Sequence, residues 1–390
     1  MTPKKAAVLD IGSDCITLVI QDNKYADNFI FKASAAYDGF MDGEFFDVSA
    51  LFRTVDGLFR ECATVTNAEV AEVLVGVPGE FTTVVCKNVE MTFTPQHKVT
   101  PRDLEALFQK GNTYGESTGY ISINASPVHY ILDTGEKTID PVNKTTSSLV
   151  ANISYVLCEI GFVNLFNRIA SQVGANFTYT SQILAEAMYV VPPAERDKGV
   201  VLFDAGFISS TVAFVRGDGI KYAVSFSIGG GNVAGDLTAV EQIPFDQAKD
   251  LTAKLNLNLR PKEGDVYNVT YEGEVCTYPV SVINEIAVAR VQDIAEIVQK
   301  IIERAPCDIP PSAKILLTGC GLSTLAGAKE ILSDTTRRVV EVIAPDLQQF
   351  NKPRYSSLAG LLKVQQQHLA YNKMSLLEKI KSFFNNRRKS

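Results

Sequence analysis

Two short polar turns hold the residues that are best suited to chemistry. An apolar run over residues 6–9 ends in Asp10 and Gly12, and apolar residues resume at 16–20. The same design recurs later, where residues 200–203 lead to Asp204 and Gly206 before residues 211–215. Glycine allows positive φ and, lacking Cβ, lets backbone N–H groups face phosphate oxygens. Each stretch is predicted to be a strand, a tight turn and a strand, and the pair of turns indicates phosphate binding.

The acids in these turns suggest a cation beside the phosphates. Asp10 and Asp204 would repel phosphate, but their carboxylates are suitable ligands, directly or through water, for a Mg²⁺ that bridges phosphates. A third turn with glycine, Gly319–Gly321, follows the apolar residues 315–317 and precedes a predicted helix. Three such turns together favour a nucleotide site over three unrelated loops.

The repeated pattern also predicts the architecture. Its recurrence about two hundred residues later indicates a duplicated domain, hence an α/β protein of two related lobes. Residues 81–160, rich in Thr, Asn, Ser and Tyr, are predicted to be a small inserted α+β subdomain with a helix over 102–110. A second insert over residues 240–308 ends in an amphipathic helix at 282–305, and further helices are expected at 162–173 and 182–191.

Composition excludes several classes of protein. A net charge of −7 argues against a nucleic-acid-binding protein, since phosphate contacts need a basic face. Seven scattered cysteines without a CxxC pair, and only three histidines, give little support to a zinc site or a disulfide framework. Neither a signal peptide nor a run of the roughly 20 apolar residues needed to cross a bilayer is visible. We therefore expect a cytoplasmic protein that is neither secreted nor integral to a membrane.

The C-terminal segment, residues 374–390, has a different character. Its apolar residues share one helical face, and five basic residues with one acid give it net +4, against −11 for the rest of the chain. Such a helix is predicted to lie in the headgroup region of an anionic membrane, and a partner-binding helix is the alternative. The residues predicted to contact the membrane are Leu376, Leu377, Lys379, Ile380, Lys381, Phe383, Phe384, Arg387, Arg388 and Lys389.

The order of these features resembles the actin-like ATPase superfamily, whose two lobes each contribute a phosphate hairpin. Within it, the chain most resembles the FtsA family of bacterial cell-division proteins. Gly39, Asp42, Gly43 and Glu44 are similar to the family's DxGEI element. The first insert lies where that family carries its small subdomain, and the basic amphipathic tail is a third likeness.

The resemblance implies a role for each motif. The two phosphate loops would be Asp10, Gly12, Ser13 and Asp14 in the first lobe and Asp204, Gly206 and Ser209 in the second. Gly229, Gly230 and Gly231 would form the turn that closes over the cleft. Lys249 and Thr252 would face the nucleoside, and Gly319, Gly321 and Leu322 would border the adenosine. Asp10 and Asp204 would hold Mg²⁺, and Gln182 would be the catalytic residue that positions an attacking water. Phe207, Ile208 and Cys320 depart from the family's glycines, so we expect weakened ATP binding and at most a weak ATPase.

The resemblance also implies partners and a place in the cell. The protein would polymerise, dock the C-terminal peptide of FtsZ through the second-lobe insert, contact other division proteins, and tether filaments to the cytoplasmic membrane at the division site. The first lobe is predicted to comprise residues 1–80 and 161–198, with the first insert at 81–160. The second lobe is predicted to comprise residues 199–239 and 309–369, with the second insert at 240–308. Residues 370–390 are predicted to be a linker and the membrane helix. Two alternatives remain open: a PilM-like pilus-assembly scaffold, and an enzyme like the sugar and acetate kinases of the same superfamily.

Overall fold

A computed structural model describes residues 6–21, 29–66 and 70–373. Within these ranges the chain forms two five-stranded sheets that carry the two predicted hairpins, together with a four-stranded sheet from the first insert. The predicted α/β fold of two duplicated lobes is confirmed. The membrane contacts predicted in 374–390 lie outside the described residues.

The first sheet has the order β11-β6-β1-β2-β3. The strands β1, β2 and β3 form an antiparallel meander, and β6 and β11 continue it in parallel with β1. Helices α1 and α3 cover one face. The bounds are β1 Ala6–Ile11, β2 Cys15–Gln21, β3 Phe29–Ala36, β4 Phe40–Met41, β5 Glu44–Phe45, α1 Val48–Thr66, β6 Glu72–Val77, α3 Ile160–Val173 and β11 Asn176–Ser181.

The second sheet repeats this arrangement with the order β14-β13-β12-β17-β18. Again three antiparallel strands are followed by two parallel ones. In the first hairpin Asp10 pairs with Thr17, and in the second Asp204 pairs with Thr211, so the two turns have equal length. The bounds are β12 Val200–Ala205, β13 Ser210–Arg216, β14 Gly219–Phe226, α6 Gly231–Glu241, β17 Ile315–Thr318, α9 Ala328–Thr336 and β18 Val340–Val342.

Each lobe carries additional elements where inserts were predicted. The first insert is an antiparallel sheet, β7-β10-β8-β9, whose apolar face packs on α2. The second contains a short hairpin that leads into the long helix α8. The bounds are β7 Thr82–Lys98, α2 Pro101–Gly111, β8 Tyr120–Leu132, β9 Lys137–Thr138, β10 Thr145–Glu159, α7 Phe245–Thr252, β15 Val266–Tyr271, β16 Glu274–Pro279 and α8 Val280–Glu303. The four helices predicted from the sequence are confirmed with ends shifted by one or two residues.

Three elements connect the lobes. Helix α4 (Gln182–Tyr189) packs Leu184 against the core beside the second sheet, while its Ala185 meets the first sheet and α10 (Ser356–Lys373). Helix α10 packs on the first sheet, although it follows the second sheet in the chain. A short helix, α5 (Pro193–Lys198), leads from α4 into β12. Of these three helices, α4 and α10 reach the space between the two hairpins.

Candidate functional site

The two polar turns face each other across a cleft of about 790 Å³. Equal turn lengths at the ends of central strands of matching sheets bring them to equivalent places in the two lobes. They also touch, because the backbone N–H of Ile208 donates a hydrogen bond to Ser13 Oγ at 3.0 Å. The cleft is thus lined by both duplicated hairpins, as the sequence predicted for a phosphate site.

Most of the predicted site residues line this cleft. They are Asp10, Gly12, Ser13, Asp14, Gln182, Asp204, Gly206, Ser209, Gly231, Lys249 and Gly319. The remaining five, Gly229, Gly230, Thr252, Gly321 and Leu322, are not among its lining residues. Leu322 is 1% exposed in the second-lobe core, and Thr252 Oγ1 donates to the carbonyl oxygen of Ala248 at 2.8 Å.

The three glycines outside the lining hold the second-lobe turns together. A Cβ on Gly230 would lie 2.3 Å from the Cα of Gly321, which leaves no room for a side chain. The N–H of Gly230 donates to the carbonyl of Gly206 at 2.9 Å, and the N–H of Gly321 donates to that of Ala205 at 2.7 Å. These amides therefore bond to backbone and set the shape of the second hairpin.

Asp10 is held by two donors deep in the cleft. Gln182 Nε2 donates to Asp10 Oδ1 at 2.8 Å, and Ser357 Oγ donates to the same oxygen at 2.6 Å. Gln182 Nε2 also donates to the carbonyl of Ile11 at 2.9 Å, so both amide hydrogens are engaged with the first hairpin. Burial raises the pKa of Asp10 to about 6, against the lowering effect of the two hydrogen bonds.

Asp204 and Glu186 complete an acidic group around Asp10. Burial, and then the charge of Asp10, raises the pKa of Asp204 to about 7. Burial first, then repulsion from Asp204 and Asp10, holds the pKa of Glu186 well above its usual range. Glu186 was not among the predicted site residues; its signal was an acid in an otherwise apolar stretch of helix, one turn after Gln182.

The donor set suits a hydrated hard cation. Within residues 6–21, 29–66 and 70–373, no three His, Cys, Asp or Glu side chains are placed to ligate one metal ion. Asp10 and Asp204 nevertheless offer carboxylate oxygens from opposite lobes to the same cleft. Mg²⁺ keeps several waters when it is bound by one or two carboxylates, so this pair fits it with water as the remaining ligand.

Comparison with known proteins identifies relatives of this arrangement. The chain is 20% identical over 363 residues to the cell division protein FtsA of Bacillus subtilis, with 91% of this chain and 82% of the relative covered. The identity to FtsA of Streptococcus pneumoniae is 23%, with 90% of this chain and 78% of the relative covered. No protein-family model matches.

Solved structures show the same fold. The chain in a PilM–PilN type IV pilus biogenesis complex gives a TM-score of 0.62 at 14% identity, with 93% of this chain and 98% of that chain covered. MreB5 of Spiroplasma citri bound to ADP gives a TM-score of 0.55 at 12% identity, with 95% of this chain and 98% of the MreB5 chain covered. The chain is a divergent FtsA-like protein with an actin-like fold.

The FtsA-like chain fills part of its cleft with aromatic side chains. The ring of Phe207 packs on Gly231, where a Cβ would lie 2.8 Å from ring atoms. Lys249 Nζ sits 5.3 Å from the centre of the same ring, and the Phe245 ring is 6.4 Å away. Phe207 thus narrows the second-lobe side of the cleft and places its aromatic face beside a cation.

Further lining residues of the FtsA-like chain come from the short turn Pro353–Tyr355, which sequence reasoning missed. Burial raises the pKa of the Cys320 thiol to about 12, and the charge of Arg354 in this turn opposes the rise. Arg354 therefore places positive charge near Cys320. The cleft therefore combines buried acids with the cations Lys249 and Arg354, as a site for a phosphate ester and its counterion requires.

The DxGEI-like element of this FtsA-like chain ties the lobes together. In the turn between β4 and β5, the N–H of Asp42 donates to Ser227 Oγ at 3.0 Å, and Ser227 Oγ donates to Asp42 Oδ1 at 2.6 Å. Glu80 accepts from Ser227 at 3.2 Å and from the N–H of Gly43 at 3.1 Å. Asp42 and Glu80 belong to the first lobe and Ser227 to the second, so this contact is an interlobe latch.

Proposed function

We propose that this chain is an actin-like cell-division protein that binds ATP with Mg²⁺, self-assembles, and tethers FtsZ filaments to the cytoplasmic membrane. The observation that carries the proposal is the alignment of about nine-tenths of the chain with curated FtsA proteins. Since only about a tenth of the chain is left unmatched, the likeness concerns most of the body of the molecule.

Nucleotide would bind in the cleft between the hairpins. MreB5 proteins of similar fold were solved with ADP and with AMPPNP. Here Ser13 and Ser209 offer hydroxyl groups to phosphate, while Lys249 and Arg354 supply positive charge. Mg²⁺, held through water by Asp10 and Asp204, would neutralise the phosphates when bound. Because the amide hydrogens of Gln182 are engaged by Asp10 and Ile11, hydrolysis is expected to be slow.

Membrane attachment would use residues 374–390. In the described part of the chain, no helix is both long and apolar enough to cross a bilayer. The tail supplies five cations near the surface, each contributing about 1 kcal/mol at low salt, beside an apolar face. That strength suits reversible binding, which many copies in a polymer would reinforce.

FtsZ would dock on the second-lobe insert, and other division proteins would contact the assembled polymer. Beside α8, Val240 and Val282 are 61% and 37% exposed, which leaves an apolar surface next to the charged side chains of Glu285 and Asp293. A short peptide with apolar anchors would bury these valines.

Co-sedimentation with anionic liposomes tests the proposal. The intact chain and a version ending at Tyr371 would be compared with and without ATP and FtsZ. We expect only the intact chain to pellet and to bring FtsZ with it. If both versions stay in solution, the tail is no anchor, and a PilM-like scaffold becomes the better hypothesis. A kinase of the same fold would keep its function without the tail.

A further inference from the structure

Helix α4 carries one acidic side chain into the cleft. Glu186 follows Gln182 by four residues, so both side chains lie on the same face of the helix. Its neighbours Ile183, Leu184 and Ala187 are buried in apolar contacts, and Glu186 itself is 1% exposed. An acid in such a position needs an explanation beyond helix packing, because burial disfavours its charged form.

The two polar residues of α4 are used differently. Gln182 is bound to the first hairpin through Asp10 and the carbonyl of Ile11. Glu186 lines the same cleft, but its Oε2 has no hydrogen-bond partner in the described part of the chain. A buried acceptor without a donor destabilises the folded state by itself.

The surroundings of Glu186 indicate the charge of the missing partner. Its neighbours in the cleft include the carboxyl groups of Asp204 and Asp10, whose charges repel its own. Glu186 from α4 and three aspartates from the two hairpins, Asp10, Asp14 and Asp204, thus line one cleft, which favours a positively charged ligand among them.

We propose that Glu186 is a third acidic group for the divalent cation, accepting hydrogen bonds from water bound to an ion held by Asp10 and Asp204. This inference rests on the proposed nucleotide and Mg²⁺ binding. Contact through water agrees with the absence, among the described residues, of three side chains placed to ligate one ion. Glu186 would orient the hydrated ion from the helix side, while the hairpins hold it from the two lobes.

Binding of Mn²⁺, a spectroscopic substitute for Mg²⁺, tests this assignment. Free Mn²⁺ would be measured by electron paramagnetic resonance with the full chain, with and without ATP. Glu186→Gln keeps the size of the side chain and removes its charge; the exposed Glu105→Gln on α2 is the matched control. We expect Glu186→Gln to weaken Mn²⁺ binding roughly tenfold, as outer-shell ligands do, and Glu105→Gln to leave it unchanged.

Thermal unfolding without metal or nucleotide gives a second readout. In alkaline buffer, which favours the charged form of Glu186, replacing this unpartnered acid with a neutral amide should raise the Tm by about 2 °C, while saturating Mn²⁺ should stabilise the wild type more than the variant. A purely structural acid would give the opposite sign in the absence of metal. Glu186→Asp, which keeps the charge but withdraws it by one methylene, should fold and bind Mn²⁺ with intermediate affinity.

The outcomes separate this inference from the proposed function. Wild-type binding of Mn²⁺ with equal binding by Glu186→Gln would overturn the role of Glu186 and leave the cation site of Asp10 and Asp204 intact. A loss of stability in Glu186→Gln without metal would also overturn it. If wild type binds no Mn²⁺ even with ATP present, both the inference and the proposed Mg²⁺ site are wrong, whereas membrane tethering stands on its own test.

Discussion

Replacing Gly230 by alanine tests whether the second-lobe turns depend on direct backbone contact. The backbone of Gly230 has φ −64° and ψ −25°, which alanine adopts without strain, so the substitution isolates packing. The new Cβ would meet the Cα and carbonyl oxygen of Gly321 at 2.3 Å. Ordinary carbon contacts lie at about 3.5–4.0 Å, so the two turns must separate by more than about 1 Å.

The expected loss follows from what that separation disturbs. It stretches the hydrogen bond from Gly230 to Gly206 and the one from Gly321 to Ala205. Each such bond contributes about 1 kcal/mol, and overpacking in a dense core costs about 1–3 kcal/mol. We therefore expect Gly230→Ala to lower the free energy of unfolding by about 2–4 kcal/mol and to weaken the proposed nucleotide binding, because Gly206 lines the cleft.

Gly235→Ala in α6, the helix that begins one residue after Gly230, is the matched control. A Cβ there would meet no atom within 4 Å, and alanine in a helix interior is favoured over glycine by roughly 0.5–1 kcal/mol. Urea unfolding of both variants, followed by circular dichroism, should therefore give shifts of opposite sign. Equal stability of Gly230→Ala and wild type, within about 0.5 kcal/mol, would refute the idea that close backbone packing fixes these turns.

Two other predictions concern the first insert and the interlobe latch. Burial pushes the pKa of Asp103 upward, but hydrogen bonds from Thr100 and His97 outweigh it and lower this pKa. At pH values above the unfolded pKa of about 3.8, Asp103 thus stabilises the folded state, and this stabilisation is lost as the pH falls through its lowered pKa in the folded state. In urea unfolding, Asp103→Asn should therefore lower the free energy of unfolding by about 1 kcal/mol at pH 7 and by little at pH 2. An equal loss at both pH values would contradict this role of Asp103. Ser227→Ala should speed amide exchange at Asp42 about fivefold by removing a hydrogen bond of about 1 kcal/mol, and unchanged exchange would show that the latch does not hold the lobes.

The hairpins and the duplication could be read from the sequence, because their signals are local. Asp10 and Asp204 each follow an apolar strand and precede a glycine, and the structure gives both the same pairing with threonine. Helix α1 also had a signal that our prediction did not use. Its buried residues Leu51, Val55 and Leu58 recur at helical spacing after Asp47, whose Oδ1 accepts from the first N–H groups.

The rest of the site depends on contacts between distant parts of the chain. The position of Ser357 beside Asp10 follows from the return of α10 to the first sheet, and no pattern near residue 357 encodes that return. The packing of Gly230 against Gly321 likewise required the relative placement of two turns about ninety residues apart. Sequence reasoning therefore identified the glycines and assigned them to ligand contact, whereas their own backbone contacts emerged only in three dimensions.

The distribution of acids couples the cleft to the arrangement of the lobes. Asp10 stands on the first lobe, Asp204 on the second and Glu186 on the helix between them, so their mutual repulsion opposes close approach of the lobes. The hydrogen bond from Ile208 to Ser13 and the Asp42–Ser227 latch, by contrast, favour close approach of the lobes. A cation bound by both aspartates would remove the repulsion and leave the attractive contacts, and a ligand shifts a conformational equilibrium only through such a difference. The proposed nucleotide and its metal would thereby favour one lobe arrangement, and a contact of the proposed polymer that spans both lobes would respond to the cleft.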